Sequence, residues 1–569
     1  MKRSGKITAF LLAVLLCVPF FCTPVSGASS TGIIIGGNAG NAVTIPASGT
    51  IGAVLTTGQG SVNKDMPAAD HIAKANAGAG TLTASVNGAF FDSYYDPGKT
   101  LRYPDNCAKI TGMLMSGGEV ICRGSGKNVL LGITDDGRYL IDRVNVSVGV
   151  RFRGTDKFTS WAVNAYNTDA SAVNLITPEM GYGFALQSGA VAVRIQGNTV
   201  TDVQTGLTWL DVPVQGEKVL VCNSASWANA AKWGIEPQVG NTAEVVTVLS
   251  PEKAGTQEAW DRVVTAVACV PWLLEGGADV FSENTNLASN LGRDVQGLQR
   301  TFAAILPDGS LMIGECKASF GQIIDYLTSI GAVDAMALDG GASSTLYTPQ
   351  AGYLQPAGRK LASMVHFIDY GSTAAIPKKG QPLMTGEPSP WAKEHVQRAL
   401  DEGLVPESFA LMPRANITRA QFASLAVSLV KKYYTGSAYT KLLARNGVSY
   451  EAARAALTDT YLLDVMQAYQ LGIVNGRGGG KFDPNGSITR REAAIMLMNT
   501  AEIVGKKAKG SGVEYEDAAD IVWVAAVKAV DFVTRANIMG STSKERALFS
   551  PLGYYTQEQA LTTMCNLLP

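Results

Sequence analysis

A chain of 569 residues with 46% apolar side chains can bury more than one core, and two or more domains are expected. Its 47 basic and 48 acidic residues leave a formal net charge of -1, whereas nucleic acid or an anionic membrane surface is usually met by a clear Lys/Arg excess, so neither is an expected partner. Three histidines, His71, His366 and His395, and no Cys-x-x-Cys pairing argue against a zinc centre.

The first residues read as an export signal over 1–28. Lys2, Arg3 and Lys6 are followed by an apolar run from Ile7 to Phe21, and Val25-Ser26-Gly27-Ala28 supplies small residues for cleavage. The run is shorter than the roughly 20 residues of a spanning helix, so no stable membrane insertion is expected after cleavage. Cys17 and Cys22 lack the pattern of a lipid-anchor site. Of the remaining cysteines, Cys107 and Cys122 are closest in sequence and form the one disulfide pair worth naming.

From 29 to 370 short β-branched or apolar runs alternate with Gly/Asn/Asp turns, as in Leu82–Val86, Val129–Ile133 and Leu311–Ile313, which predicts strands. Phe320, Ile323, Ile324, Leu327 and Ile330 recur at helical spacing behind a cap at Ser319, and a strand Met336–Leu338 follows. The expected fold is therefore α+β, or mixed α/β, with a dominant sheet.

Two polar segments directly follow strands: Asn87-Gly88-Ala89-Phe90-Phe91-Asp92 and Leu338-Asp339-Gly340-Gly341-Ala342-Ser343-Ser344. Glycines beside polar side chains let backbone and side chains approach a ligand together. Asp339 can serve as base, nucleophile or sugar-hydroxyl acceptor, Gly340 and Gly341 expose amides, and Ser343 and Ser344 supply hydroxyls. Alone, Asp-Gly-Gly is most often a turn.

Residues 371–387 are rich in Gly, Ser, Pro and Lys and read as a linker. Beyond it three helical units are expected at 388–435, 457–505 and 514–569, with Thr418, Thr489 and Thr556 recurring at about 70 residues. Each Thr precedes Gln or Glu by three places, the capping-box spacing, and each such helix follows an amphipathic one that ends near Gly403, Gly472 or Ile538-Met539-Gly540.

These units, the second above all with Phe482-Asp483-Pro484-Asn485-Gly486-Ser487-Ile488-Thr489-Arg490, resemble S-layer homology modules. The resemblance implies an all-α three-repeat bundle holding secondary cell-wall polysaccharide, with Arg419 and Arg490 meeting its acidic groups. Both arginines are equally readable as capping or solvating residues, and Gln557 replaces the basic residue in the third unit. Secretion to the cell wall or cell surface of a Gram-positive-type envelope follows as the expected location.

Asn87–Asp92, Gln299-Arg300-Thr301, Met336–Ser344, Gly358-Arg359-Lys360 and Met364–Phe367, taken in order, resemble the phosphodiester glycosidase family, relatives of the enzyme that uncovers mannose 6-phosphate. The resemblance implies hydrolysis of a sugar-1-phosphodiester. Phosphate is a good leaving group, so one carboxylate with phosphate-binding cations can suffice. It implies Asp339 as the first catalytic carboxylate, with Glu275 and Asp92 as secondary candidates. Arg300 would hold phosphate, Asn87 and Gly88 a hydroxyl or phosphate, and Phe90 a sugar ring. Each has a plain structural reading as well: Glu275 and Asn87 as turn residues, Phe90 as core, Arg300 as an ion-pair partner. No cofactor is required, and a divalent cation such as calcium is compatible. Ala89, Ala342 and Phe302-Ala303-Ala304 depart from the family pattern and add bulk near the pocket. The competing class is a non-catalytic, glycan-binding envelope protein anchored by its repeats.

Overall fold

The computed structural model describes residues 27–76, 80–94, 107–122, 126–154, 156–160, 162–181, 183–213, 216–379, 384, 386–406, 409, 411–434, 436–460 and 462–569. The apolar run of the export signal and the Cys107 side chain lie outside what is described. Cys222, Cys269, Cys316 and Cys565 are buried thiols.

Residues 29–369 form an antiparallel-dominated α+β body of stacked sheets. One seven-stranded sheet runs in the order Ser29–Ile35, Asn38–Ile45, Leu311–Lys317, Gln299–Ile305, Asp334–Leu338, Trp272–Glu275, Ala278–Asp279. A five-stranded sheet, ordered Gly352–Gln355, Leu346–Thr348, Thr81–Asn87, Ser363–Asp369, Ile51–Thr57, packs on it. Alternation decides what fills the gap between them: Ala303, Ile305, Ile313, Met336 and Leu338 from the first sheet meet Ala84, Val86, Val365 and Phe367 from the second. The opposite parity, Phe302, Ala304, Ala335 and Ala337, meets Phe320, Ile323, Ile324 and Leu327 of the helix Phe320–Ser329. Ser319 and Gln322 close a capping box at its start, the arrangement expected from the spacing.

The five-stranded sheet is covered on its other face by a helix, Ala68–Asn76, that the sequence reading does not anticipate. Of its buried positions, Ala68, His71, Ile72 and Ala75, only Ile72 is large and apolar, so the helical period is faint. His71 reaches the sheet and starts a buried chain. Its Nε2 lies 2.9 Å from the Leu361 carbonyl, its Nδ1 lies 2.7 Å from Thr56 Oγ1, which is 2.7 Å from His366 Nε2, and His366 Nδ1 is 2.8 Å from Ser85 Oγ. A carbonyl only accepts, so His71 carries its proton on Nε2, Thr56 donates to His71, His366 donates to Thr56, and Ser85 donates to His366. Both imidazoles are neutral: burial pushes His71 down to about 4 and His366 to about 3.

Two further sheets extend the body. Tyr139–Phe152 pairs along its length with Gly126–Thr134 and Ala243–Pro251, and its apolar face packs on the sheet containing Val191–Gln196 and Glu217–Cys222.

From Lys393 to Cys565 the chain is helical around one continuous core. Helices Arg419–Tyr433, Arg490–Ile503 and Gln557–Cys565 each begin with a reciprocal Thr–Gln or Thr–Glu cap. The residues leading into them bond in a closed ring: Ile417 N–H to Tyr555 O (2.8 Å), Tyr555 N–H to Ile488 O (3.0 Å), Ile488 N–H to Ile417 O (3.3 Å). The preceding helices are Lys393–Asp401, Leu463–Gln470 and Val524–Arg535. Gly403 and Gly472 follow the first two in left-handed backbone, as expected, but in the third unit Asn537 (φ 55°) takes that position and Gly540 does not. Helices Gly436–Ala444 and Tyr450–Ala456 fill the stretch between the first two units. Among the described residues no helix is long and apolar enough to cross a membrane.

Candidate active site

Asn87 ends the strand Thr81–Asn87 and Asp339 follows the strand Asp334–Leu338, one from each facing sheet. The buried Asn87 amide joins them. Its Nδ2 donates to the Asp339 carbonyl at 2.6 Å, and its Oδ1 accepts from Thr345 N–H at 2.9 Å. Thr301 Oγ1 lies 3.4 Å from the same oxygen and donates to Ser344 Oγ at 3.0 Å. Ser344 is therefore engaged in the layer beneath the loop. Each polar group of this layer has a partner, which is what buried polar atoms require to hold a loop in one conformation.

Asp339 is 8% exposed. Burial pushes it up to about 6, against the opposing pull of the Ser343 hydroxyl, the Gly340 N–H at 2.9 Å and the Arg359 guanidinium. Gly341, at φ 62°, turns the chain over it, and Gly340 approaches so near Gln299 that an added Cβ would sit 3.0 Å from its carbonyl oxygen. Gly88 is equally tight: its N–H donates to Ser363 O at 2.9 Å, and a Cβ there would lie 2.4 Å from Ser363 Oγ.

Phe90 is half-buried and lines a cavity of about 480 Å³ with Thr111, Lys127, Arg143, Cys269 and Thr285. Burial, and after it the Asp339 charge, pushes the Cys269 thiol up; Asp339 itself is not among the residues lining this cavity. The aromatic ring, hydroxyls and amides of this cavity suit a sugar hydroxyl array. Among the described residues no cluster of three or more His, Cys, Asp or Glu side chains is placed to hold a metal ion.

Three expected residues fall elsewhere. Glu275 adjoins Gly276, whose N–H donates to Asp334 Oδ1 at 3.0 Å, so it stands at the opposite end of the strand Asp334–Leu338 from Asp339, about 17 Å away at strand rise. Asp92 is exposed on the strand Phe91–Tyr94, opposite Lys109. Arg300 pairs across the sheet with Cys316 and shares its helix-covered face; the guanidinium lies 4.2 Å from the Phe320 ring and donates to Asn290 O at 2.8 Å. Its neighbour Thr301, not Arg300, is on the Asn87 side.

Two residues receive no role in the sequence reading, although Arg359 is quoted there within Gly358-Arg359-Lys360. Glu315, the one acidic residue of the strand Leu311–Lys317, is buried and accepts from Asn41 Nδ2 at 2.5 Å and from Gln299 Nε2, with burial raising its carboxyl. Arg359 stacks on Phe91, guanidinium carbon 3.9 Å from the ring centre.

In the helical part Arg419 and Arg490 are buried and clasp the following unit. Arg419 donates to Phe482 O (2.8 Å) and Asn475 O (2.9 Å), and Arg490 to Phe549 O (2.7 Å) and Gly540 O (3.0 Å). Gln557 takes the same position and accepts from Met412 N–H at 2.7 Å. Arg490 also lines a cavity of about 530 Å³ with Trp391, Gly540, Ser541, Lys544 and Tyr555.

Residues 189–368 match the phosphodiester glycosidase family model, and residues 460–494 match that of the S-layer homology domain. The first match contains Asp339 and Arg359 but not Asn87. Among solved structures, a hypothetical protein from Synechocystis is 18% identical with a TM-score of 0.46, covering 60% of this chain and 62% of its own. The zebrafish N-acetylglucosamine-1-phosphodiester alpha-N-acetylglucosaminidase catalytic domain, auto-inhibited by its pro-peptide, is 13% identical with a TM-score of 0.31, covering 60% of this chain and 82% of its own. The chain thus spans less than two thirds of the Synechocystis protein. No curated protein matches.

Proposed function

We propose that the strand-rich part is a hydrolase that cleaves the glycosidic bond of a sugar-1-phosphodiester, with Asp339 as its catalytic carboxylate. The observation that carries the reading is the Asn87–Asp339 bond of 2.6 Å, which ties two distant Gly-flanked polar segments around one buried carboxyl, within a chain that matches the phosphodiester glycosidase model. In the proposed step water adds to the anomeric carbon, and the bond from that carbon to the phosphate oxygen breaks with its electron pair leaving on phosphate. The water proton passes to the Asp339 carboxylate, and the products are a free sugar and a phosphomonoester. Phe90 forms a wall for the sugar ring, and Asn87, Gly88, Gly340, Gly341 and Ser343 hold the loop or its ligand in register.

The helical units are proposed as three S-layer homology repeats that anchor the exported protein to a secondary cell-wall polysaccharide. The cavity beside Arg490, with Trp391 as an aromatic wall and Lys544 as a second cation, supports an acidic sugar as ligand. The anchored location puts the enzyme beside phosphate-linked glycopolymers, the proposed substrate class.

The test is release of sugar from a panel of sugar-1-phosphodiesters by the full chain and its Asp339→Asn variant. Hydrolysis of one member with loss of most of the rate in the variant supports the reading. A folded parent that binds a diester but cleaves none favours a glycan-binding protein instead.

A further inference from the structure

We infer that the helical part holds an acidic sugar at a single position, the cavity beside Arg490, and that the equivalent position at Arg419 is closed by the ion pair of Arg477 with Glu492. The inference rests on the anchoring reading above and narrows it from three repeats to one binding position.

The bonding pattern sets the equivalences between units. Arg419 and Arg490 directly follow a capping threonine, and each donates through Nε to a phenylalanine carbonyl of the next unit, Phe482 or Phe549, and through Nη2 to Asn475 or Gly540. Further along the same loop Arg477 N–H donates to Lys481 O at 2.7 Å and Thr542 N–H to Leu548 O at 2.8 Å, so Thr542 holds the place of Arg477. Asp483 and Ser550 come next after the two phenylalanines and share left-handed backbone, φ 62° and 56°. Gln559 holds the place of Glu492, three residues after the capping threonine.

These three exchanges decide which position stays open. Between the first and second units, Arg477 donates to Asp483 Oδ2 and to Glu492 Oε1, both at 2.8 Å, and Glu492 Oε1 lies 3.5 Å from Arg419 Nη1. A carboxylate of this chain thus already neutralises the cation, and an acid arriving on a sugar would meet a like charge. Between the second and third units, Thr542 and Ser550 share a neutral hydroxyl contact of 2.8 Å, and uncharged Gln559 lines the cavity. Arg490 is 7% exposed, and among the described residues no carboxylate pairs with it. Its Nε and Nη2 are spent on Phe549 and Gly540, which leaves Nη1 for the cavity it lines. A buried guanidinium without a counter-ion favours an anion. The cavity, about 530 Å³, adds Lys544 as a second cation and Trp391 as a wall, with no Asp or Glu among its lining residues. At the remaining position Gln557 brings no charge at all and is taken up by Met412 N–H.

The experiment uses the full chain, Arg490→Gln, Lys544→Gln, and a double variant of Arg477→Thr with Glu492→Gln. The double variant copies the third unit into the second and keeps the Gln-type helix cap already present at Gln421 and Gln559. Lys544 takes no part in the clasp, so its variant reads the pocket even where Arg490→Gln fails to fold in thermal unfolding. Equilibrium dialysis against a glucuronic-acid oligosaccharide counts sites, and co-sedimentation with peptidoglycan carrying its acidic polysaccharide measures retention. The expected result is one site in the parent, about 30-fold weaker binding in Arg490→Gln, a smaller weakening beyond about threefold in Lys544→Gln, and a second site in the double variant. Two or more sites in the parent, or every folded pocket variant within about threefold of it, overturn the single pocket. A double variant that still has one site overturns the closure by Arg477 and Glu492 while the anchoring reading stands. If the parent is not retained on the wall material, the anchoring reading falls and dialysis decides: one site that Arg490→Gln or Lys544→Gln weakens sustains the pocket, and no site overturns it too.

Discussion

Lowering the pH from 7 to 5 should strip stability from the strand-rich body through two side chains, His71 and His366. Each is neutral and fully buried in the chain from Leu361 O through Thr56 to Ser85, with values of about 4 and about 3 in place of an ordinary 6.5. A depressed histidine contributes stability above its unfolded value and loses it as pH falls toward its folded value, because the unfolded chain takes up the proton that the folded one refuses. Between pH 7 and 5 that amounts to about 1.8 kcal/mol per histidine, or close to 4 kcal/mol for both, at a limiting slope of about 1.4 kcal/mol per pH unit each. Below about pH 4 the His71 share levels off. Urea unfolding followed by tryptophan fluorescence suits the measurement, since Trp260 and Trp272 are buried in this body. His71→Gln and His366→Gln should each flatten the pH slope by about the single-histidine amount, whereas Thr56→Ser, which keeps the hydroxyl, should leave it unchanged. Equal slopes in parent and both histidine variants, within about 0.5 kcal/mol per pH unit, would refute the account.

Asp339→Asn should lower kcat by about 1,000-fold or more, and the parent rate should rise with pH through about 6 as the carboxyl ionises; a flat profile from pH 5 to 8 would exclude Asp339 as the base. Asn87→Ala leaves the Asp339 carbonyl and the Thr345 N–H without their partner, and should cost about 2 kcal/mol in unfolding along with most of the activity. Arg419→Ala leaves the Phe482 and Asn475 carbonyls and Glu492 short of a donor, so the helical part should lose about 3 kcal/mol in denaturant unfolding, and a change under about 0.5 kcal/mol would mean its contacts are incidental.

What the sequence makes legible is what short spacing controls. The Ser319–Gln322 and Thr418–Gln421 caps, the helix Phe320–Ser329 and the strands around Val129 and Leu311 all declare themselves within a few residues. The positions of Asn87 and Asp339 at strand ends are legible for the same reason. What fails is whatever depends on a neighbour distant in the chain. Glu275 and Asp339 both flank strands of one sheet, yet antiparallel order puts them at opposite ends. Arg300 and Thr301 differ by one place, and the pleat sends them to opposite faces. The stacking of Arg359 on Phe91 joins two residues that no local pattern connects. Ala68–Asn76 escapes because alanines give its buried stripe little contrast.

The ring of bonds linking Ile417, Tyr555 and Ile488 sets the helical part apart from an open repeat array. In a linear array each unit meets only its sequence neighbours, so units can be added or lost at the ends and order can spread from anywhere. A closed triangle has no end unit to trim and no edge on which to grow. Its last link joins the first unit to the third, and during synthesis the first two must wait with one face uncovered until that strand of chain exists. The ring couples the three segments that meet in it, and damage at any one vertex is expected to loosen the other two.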